Sequence, residues 1–196
     1  MPQRDISILI IDENRSRAAI IEEGLREAGH QRVTVIHDVN EVGRTLEAAM
    51  PDVVVIDLEN PKRDTLEHFF SLSRALQRPI AMFVDHSDEA TIEMAVDAGV
   101  SAYVVDGLKK ERVRPILNMA ISRFNAFARL SRELEEARTA LEDRKTIDKA
   151  KTILIETRGL NEADAYALLR RTAMNRNRKI ADIAQGLIMA AEMLKP

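Results

Sequence analysis

Five cations fall within the ten residues Arg170 to Lys179, and no acid falls among them: Arg170, Arg171, Arg176, Arg178 and Lys179. Clustered arginine and lysine neutralise phosphates, and arginine also stacks on bases or forks to their edges. Lys149 and Lys151 add charge upstream. A solvated basic turn is the plainer reading, but the chain holds 32 acids and places none here, which favours a polyanionic partner. Tyr166 can stack on an unpaired base, although a single tyrosine on a helix more often serves a core. A second set is acidic. Asp12 and Glu13 follow an apolar run over 6–11, and Asp57 closes the run 53–56. Three carboxylates in one crevice suit Mg²⁺, and one of them could accept a phosphoryl group. A third set is apolar. Phe127, Leu130, Leu134, Ala137 and Leu141 are spaced 3, 4, 3, 4 among Arg and Glu. That is a heptad seam, and it predicts a parallel dimeric coiled coil rather than a single helix folded back on its own chain.

Each set needs elements to position it. Over 147–194, Ile147, Ala150, Ile153 and Leu154, then Ala165, Leu168, Leu169 and Ala173, then Ile180, Ile183, Ala184, Leu187 and Ile188 recur at helical spacing. They predict three helices around one shared core. Gly159 ends the first, Asn161 with Asp164 in capping-box spacing starts the second, and Asn177 is expected to cap the third. Upstream, strands are expected over 6–12, 33–36, 52–57, 80–84 and 102–105, alternating with helices over 15–28, 39–50, 65–75 and 89–98. Five alternations imply a doubly wound, flavodoxin-like parallel sheet of five strands. The working crevice of such a sheet lies beyond its strand C-termini, where the acids fall. Residues 112–157 contain no Gly and one Pro, Pro115, expected in a first helical turn.

The chain of 196 residues has no Cys, which excludes disulfides, thiolate metal sites and a cysteine nucleophile. His30, His37, His68 and His86 lack ligand-like spacing and read as surface or loop residues. No apolar run approaches a membrane span and no secretory signal opens the sequence, which points to the cytoplasm. The acidic set has no paired base or nucleophile and no Gly-rich phosphate loop follows the first strand, so the chemistry expected is binding and not catalysis. Residues 1–112 hold 13 basic and 21 acidic side chains, a net of −8, and residues 113–196 hold 16 and 11, a net of +5. A nucleic acid would meet the C-terminal part.

The C-terminal stretch resembles the ANTAR domain, an RNA-binding three-helix module of bacterial antiterminators. The resemblance rests on Asp148-Lys149-Ala150-Lys151, Gly159-Leu160, Glu162-Ala163, Ala165-Tyr166, Leu169-Arg170, Ala173-Met174, Arg178-Lys179-Ile180 and Asp182-Ile183-Ala184. It implies binding to paired stem-loops in leader transcripts, with Lys149, Tyr166, Arg170, Ala173, Arg176 and Lys179 at or near positions that face RNA. Residues 5–125 resemble the receiver domain of two-component response regulators. Asp12 and Glu13 then fall on the metal-binding pair, Asp57 on the phosphoacceptor and Tyr103 on the aromatic switch position. Two departures stand out. Val84 replaces a hydroxyl residue that would bond the phosphoryl group, and Asp106-Gly107 replaces Lys-Pro, turning a cation into an anion. Asp106 is also a candidate fourth carboxylate for a cation. The expected plan is a receiver-like domain over 1–112, a coiled-coil dimerisation helix over 113–145 and an ANTAR domain over 146–196. This order is similar to antiterminators of the NasT type, from nitrate and nitrite assimilation, and of the AmiR type. The likeness implies a homodimer controlled by a NasS-like ligand sensor that sequesters it. No cofactor is then required. The rivals are a regulator switched by phosphorylation at Asp57 and a DNA-binding factor.

Overall fold

The structure is a computed structural model that describes residues 6–59, 62–106 and 108–193. Gly107 and Leu194, used in the sequence reading, lie outside the described residues. The chain divides into two compact units, residues 1–128 and 129–196.

In the first unit β1 (Ile8–Ile11), α1 (Arg15–Glu27), β2 (Val33–Ile36), α2 (Val42–Ala49), β3 (Val53–Leu58), α3 (Arg63–Ala75), β4 (Ile80–Val84), α4 (Glu89–Asp97) and β5 (Ala102–Val105) alternate, and α5 begins at Lys110. The sheet is parallel, in the order β2-β1-β3-β4-β5. β1 and β3 are apolar at alternate and intervening positions alike because helices cover both faces. Leu9, Ile11, Val54 and Ile56 pack with Phe69, Phe70 and Met82 on one side. Ile8, Ile10, Val53 and Val55 pack with Ile21, Leu25, Val113 and Leu117 on the other. β1 lies between β2 and β3, so the strand order reverses there and the acidic ends of β1 and β3 border the crevice. α1 approaches α5 closely at Gly24, where an added Cβ would lie 3.0 Å from the Lys110 carbonyl oxygen.

Several local expectations change. The helix expected from Val39 opens as a short 3-10 turn, Val39–Glu41, capped by Asp38, before α2 proper. His30 sits in the α1–β2 loop as expected of a loop residue, but it is buried. The connector and the first ANTAR-like helix form one uninterrupted helix, α5, of 49 residues from Lys110 to Arg158. It starts two residues before the expected start, so Pro115 falls in its second turn, where it leaves the Glu111 carbonyl without the usual i+4 donor.

The second unit combines the C-terminal part of α5 with α6 (Glu162–Arg176) and α7 (Ile180–Met193). Ala150, Leu154, Ala165, Leu169, Ala184 and Ile188 form its core. Gly159 ends α5 at φ 64°, a left-handed conformation that glycine adopts without a Cβ clash. Asn161 caps α6: its Oδ1 accepts the Asp164 N–H at 2.9 Å and its side-chain amide donates to Asp164 Oδ2 at 2.8 Å. Asn177 does not start α7. It closes α6 in the left-handed conformation, φ 49°, with Arg178 N–H donating to the Ala173 carbonyl at 3.0 Å. Asparagine tolerates that conformation better than most side chains, so it serves as a C-terminal stop. No described helix is long and apolar enough to cross a membrane.

Candidate nucleic-acid interface and acidic cleft

The cleft beyond β1 and β3 has a volume of about 360 Å³ and is lined by Asp12, Glu13, Asn14, Asp57, Leu58, Glu59, Lys62 and Thr65. Asp12 and Asp57 are buried and Glu13 is exposed. The residue that dominates the site is one the sequence reading passed over. From the first turn of α1, Arg17 forks onto Asp57: Nε donates to Oδ2 at 2.6 Å and Nη2 to Oδ1 at 2.8 Å. Its Nη1 reaches Asp85, just beyond β4, with oxygens at 2.8 and 3.0 Å. The Asp57 side chain is fully buried and that of Arg17 is 18% exposed. The bonds to Asp57, more than those to Asp85, hold the Arg17 guanidinium above its already high range. Asn14 fixes the root of the fork. Its side chain accepts from Ser16 and Arg17 N–H, while its own N–H donates to Asp12 Oδ1 at 2.8 Å. Asp12 Oδ2 is buried without a hydrogen-bond partner. Burial pushes the Asp12 carboxyl up to about 7, opposed by the Asn14 N–H and reinforced by Asp57.

Mg²⁺ demands near-octahedral oxygen ligands at about 2.0–2.1 Å. Both Asp57 oxygens are already engaged by Arg17. Among the described residues no three His, Asp or Glu side chains gather as a cation site. Asp106 is exposed at φ 48° and does not join the cleft as a fourth carboxylate. The residues as arranged do not fit the ion.

On the second unit the basic residues differ in how they are held. Arg170, Arg171, Arg176 and Lys179 are exposed and have no ion-pair partner among the described residues. Arg178 pairs loosely with Asp182 at 3.6 Å, and Lys149 pairs with Glu192 at 2.8 Å. Lys151 is held by Asp148 and Glu162 and is only 15% exposed. A groove of about 490 Å³ brings Arg176 and Arg178 together with Arg158, over a floor that includes Leu154, Leu168, Ile183, Gly186 and Leu187. Arg158 was not singled out from sequence, although it is the last residue of α5. Tyr166 is 42% exposed and lines a different groove, with Ile147, Asp148 and Lys151. Ala173 is buried at 3% exposure, in line with Ala165 and Leu169 on the core side of α6. Its methyl therefore belongs to packing and offers no surface for close approach.

Residues 8–118 match the response regulator receiver domain, more than half of the chain. The chain belongs to the response-regulator receiver family. Residues 135–188 match the ANTAR domain, so this is a receiver–ANTAR response regulator. The transcriptional regulatory protein PdtaR of Mycobacterium tuberculosis is 29% identical over 178 residues, covering 91% of this chain and 87% of that protein. The nitrate regulatory protein of Klebsiella oxytoca is 33% identical over 75 residues, 38% of this chain and 19% of its own length. The aliphatic amidase regulator of Pseudomonas aeruginosa is 26% identical over 109 residues, 56% of each chain. Among solved structures, a CheY-like receiver from Methanospirillum hungatei shares the fold, with a TM-score of 0.54 at 14% identity over 62% of this chain and 97% of that one.

Within the receiver, both departures persist in three dimensions. Val84 is buried at the end of β4 and presents no hydroxyl. The position that receivers give to a lysine holds exposed Asp106. Tyr103 is partly buried in β5, with its hydroxyl 3.0 Å from Ser87 Oγ, and burial pushes its pKa up. The response regulator therefore keeps the receiver's acids and meets one of them, Asp57, with a cation from α1. The sequence signal for this was indirect: a buried acid that has lost its lysine needs another cation, and Arg17 lies in the first turn of the helix that follows β1.

Proposed function

We propose that this response regulator is an RNA-binding transcription antiterminator that grips paired stem-loops in a nascent leader transcript. A NasS-like nitrate or nitrite sensor governs it by sequestration, not by phosphorylation, and the controlled genes serve nitrate and nitrite assimilation. The observation that carries the reading is the set Arg170, Arg171, Arg176 and Lys179, exposed and without ion-pair partners among the described residues of an ANTAR unit. Cations left unpaired on one module are available to phosphates. The likeness to the nitrate regulatory protein supports the operon class. The exposed seam of α5 supports a homodimer, which would present one module to each hairpin. Transcription places the protein in the cytoplasm.

A stem-loop RNA and a DNA duplex of equal length, set in competition for the full-length protein, test this reading. Preference for the RNA is expected, and preference for the duplex would overturn it. The second reading is phosphorylation at Asp57, favoured by that residue's place at the end of β3 beside an open cleft. Against it stands the Arg17 fork on both Asp57 oxygens.

A further inference from the structure

We propose that the Arg17 guanidinium is the receiver's resident cation: it occupies the charge position of a divalent ion on Asp57 and closes the acidic cleft to metal. This goes beyond the RNA-binding reading and stands independently of it. Three observations converge. Arg17 satisfies both oxygens of a fully buried carboxylate with two short, parallel N–H bonds. Bidentate arginine–carboxylate pairs of this kind are strong and geometrically specific, and removing one partner strands a buried charge. The same guanidinium reaches Asp85, so it ties the ends of β3 and β4 where Val84 offers no polar group. Finally, the Asn14 cap holds Arg17 N–H while Asn14 N–H holds Asp12, so one turn sets both the cation and the neighbouring acid.

Asp57 has its counter-charge without an ion. Arg17 meets Asp57 at the floor and Asp85 at the rim, and Asp12 sits within the same field. An incoming divalent cation would have to expel the guanidinium from Asp57 and leave it beside the metal. The like charges would repel, and the fork's hydrogen bonds would be lost. Removal of the guanidinium reverses this: it leaves Asp12 and Asp57 buried with no cation, which is the condition under which a hard divalent ion binds.

The test is a Mn²⁺ titration of the full-length protein, followed by calorimetry, with folding checked by circular dichroism. Wild type is expected to show no Asp57-dependent site. Arg17→Gln is expected to gain one, at least about tenfold tighter than any in wild type, and Arg17→Gln/Asp57→Asn to lose it. A wild-type site that disappears in Asp57→Asn would overturn the proposal. So would a folded Arg17→Gln that gains none. Should Arg17→Gln fail to fold, Arg17→Lys decides. Its point charge cannot fork, so it must bind Mn²⁺ more tightly than wild type, and equal weakness would sink the idea. RNA affinity of the same variants is read separately, so loss of RNA binding and loss of this proposal are distinguishable.

Discussion

Two buried carboxylates at the ends of β1 and β3 need compensation, and Arg17 provides it for only one of them directly. Asp12 carries the consequence: its carboxyl is pushed up to about 7 from 3.8. The folded receiver therefore holds a proton between those values that the unfolded chain has released. Stability is expected to fall as pH rises through this window, because the unfolded chain pays nothing to ionise. Asp12→Asn cannot ionise and should flatten the fall. Urea unfolding at about pH 5.5 and about pH 8 should show the wild type losing on the order of 1 kcal/mol relative to the variant; parallel profiles would contradict the burial argument. At Asp57, acetyl phosphate with Mg²⁺ should leave the wild type unlabelled by intact-mass measurement. Stoichiometric labelling would restore the phosphorylation reading. On the ANTAR unit, Arg176→Ala or Lys179→Ala should weaken RNA binding several-fold and lower the salt slope by about 1 each, with the fold intact. A residue whose loss changes neither would leave the interface.

Elements explain which of these features could be read in advance. β3 was legible because its β-branched run ends in a single acid, and β1 because its apolar run ends in Asp12-Glu13. The capping pair Asn161–Asp164 and the stop at Gly159 followed from side-chain chemistry alone. Arg17 did not, since its place in α1 is ordinary and only the loop geometry of Asn14 swings its guanidinium across two strands. Asn177 was misassigned because it suits either end of a helix, and only its backbone conformation distinguishes them. Ala173 was misplaced because small residues serve surfaces and helix packing equally. The heptad residues that spacing aligned on α5 are exposed: Phe127 72%, Leu130 61%, Leu134 70% and Leu141 53%. Leu130→Glu/Leu134→Glu should yield a monomer in sedimentation equilibrium with helical content retained, and a persistent dimer would exclude this seam. Gly24→Ala should destabilise the receiver by about 1–3 kcal/mol, as overpacking does, because its methyl meets backbone on α5. An unchanged denaturation midpoint would mean that α1 and α5 can separate without cost.

For the whole molecule, the charge is divided unevenly between the two parts of the chain. Residues 1–112 carry a net of −8 and residues 113–196 a net of +5. A polyanion is drawn to the second and repelled by the first, so association should slow as salt rises. Under the proposed sequestration the acidic receiver is the surface that docks a sensor, and release needs no chemical change at Asp57. Two modules on a dimer gain affinity for two hairpins through effective concentration, and for one hairpin they gain none. The measurement that bears most directly on the account is a titration of the full-length protein against a two-hairpin leader RNA and its one-hairpin version, at two salt concentrations. Tight, salt-sensitive binding that weakens at least about tenfold when one hairpin is removed is the expected result. Equal affinity for both RNAs, or binding indifferent to salt, would contradict a dimeric reader of paired stem-loops.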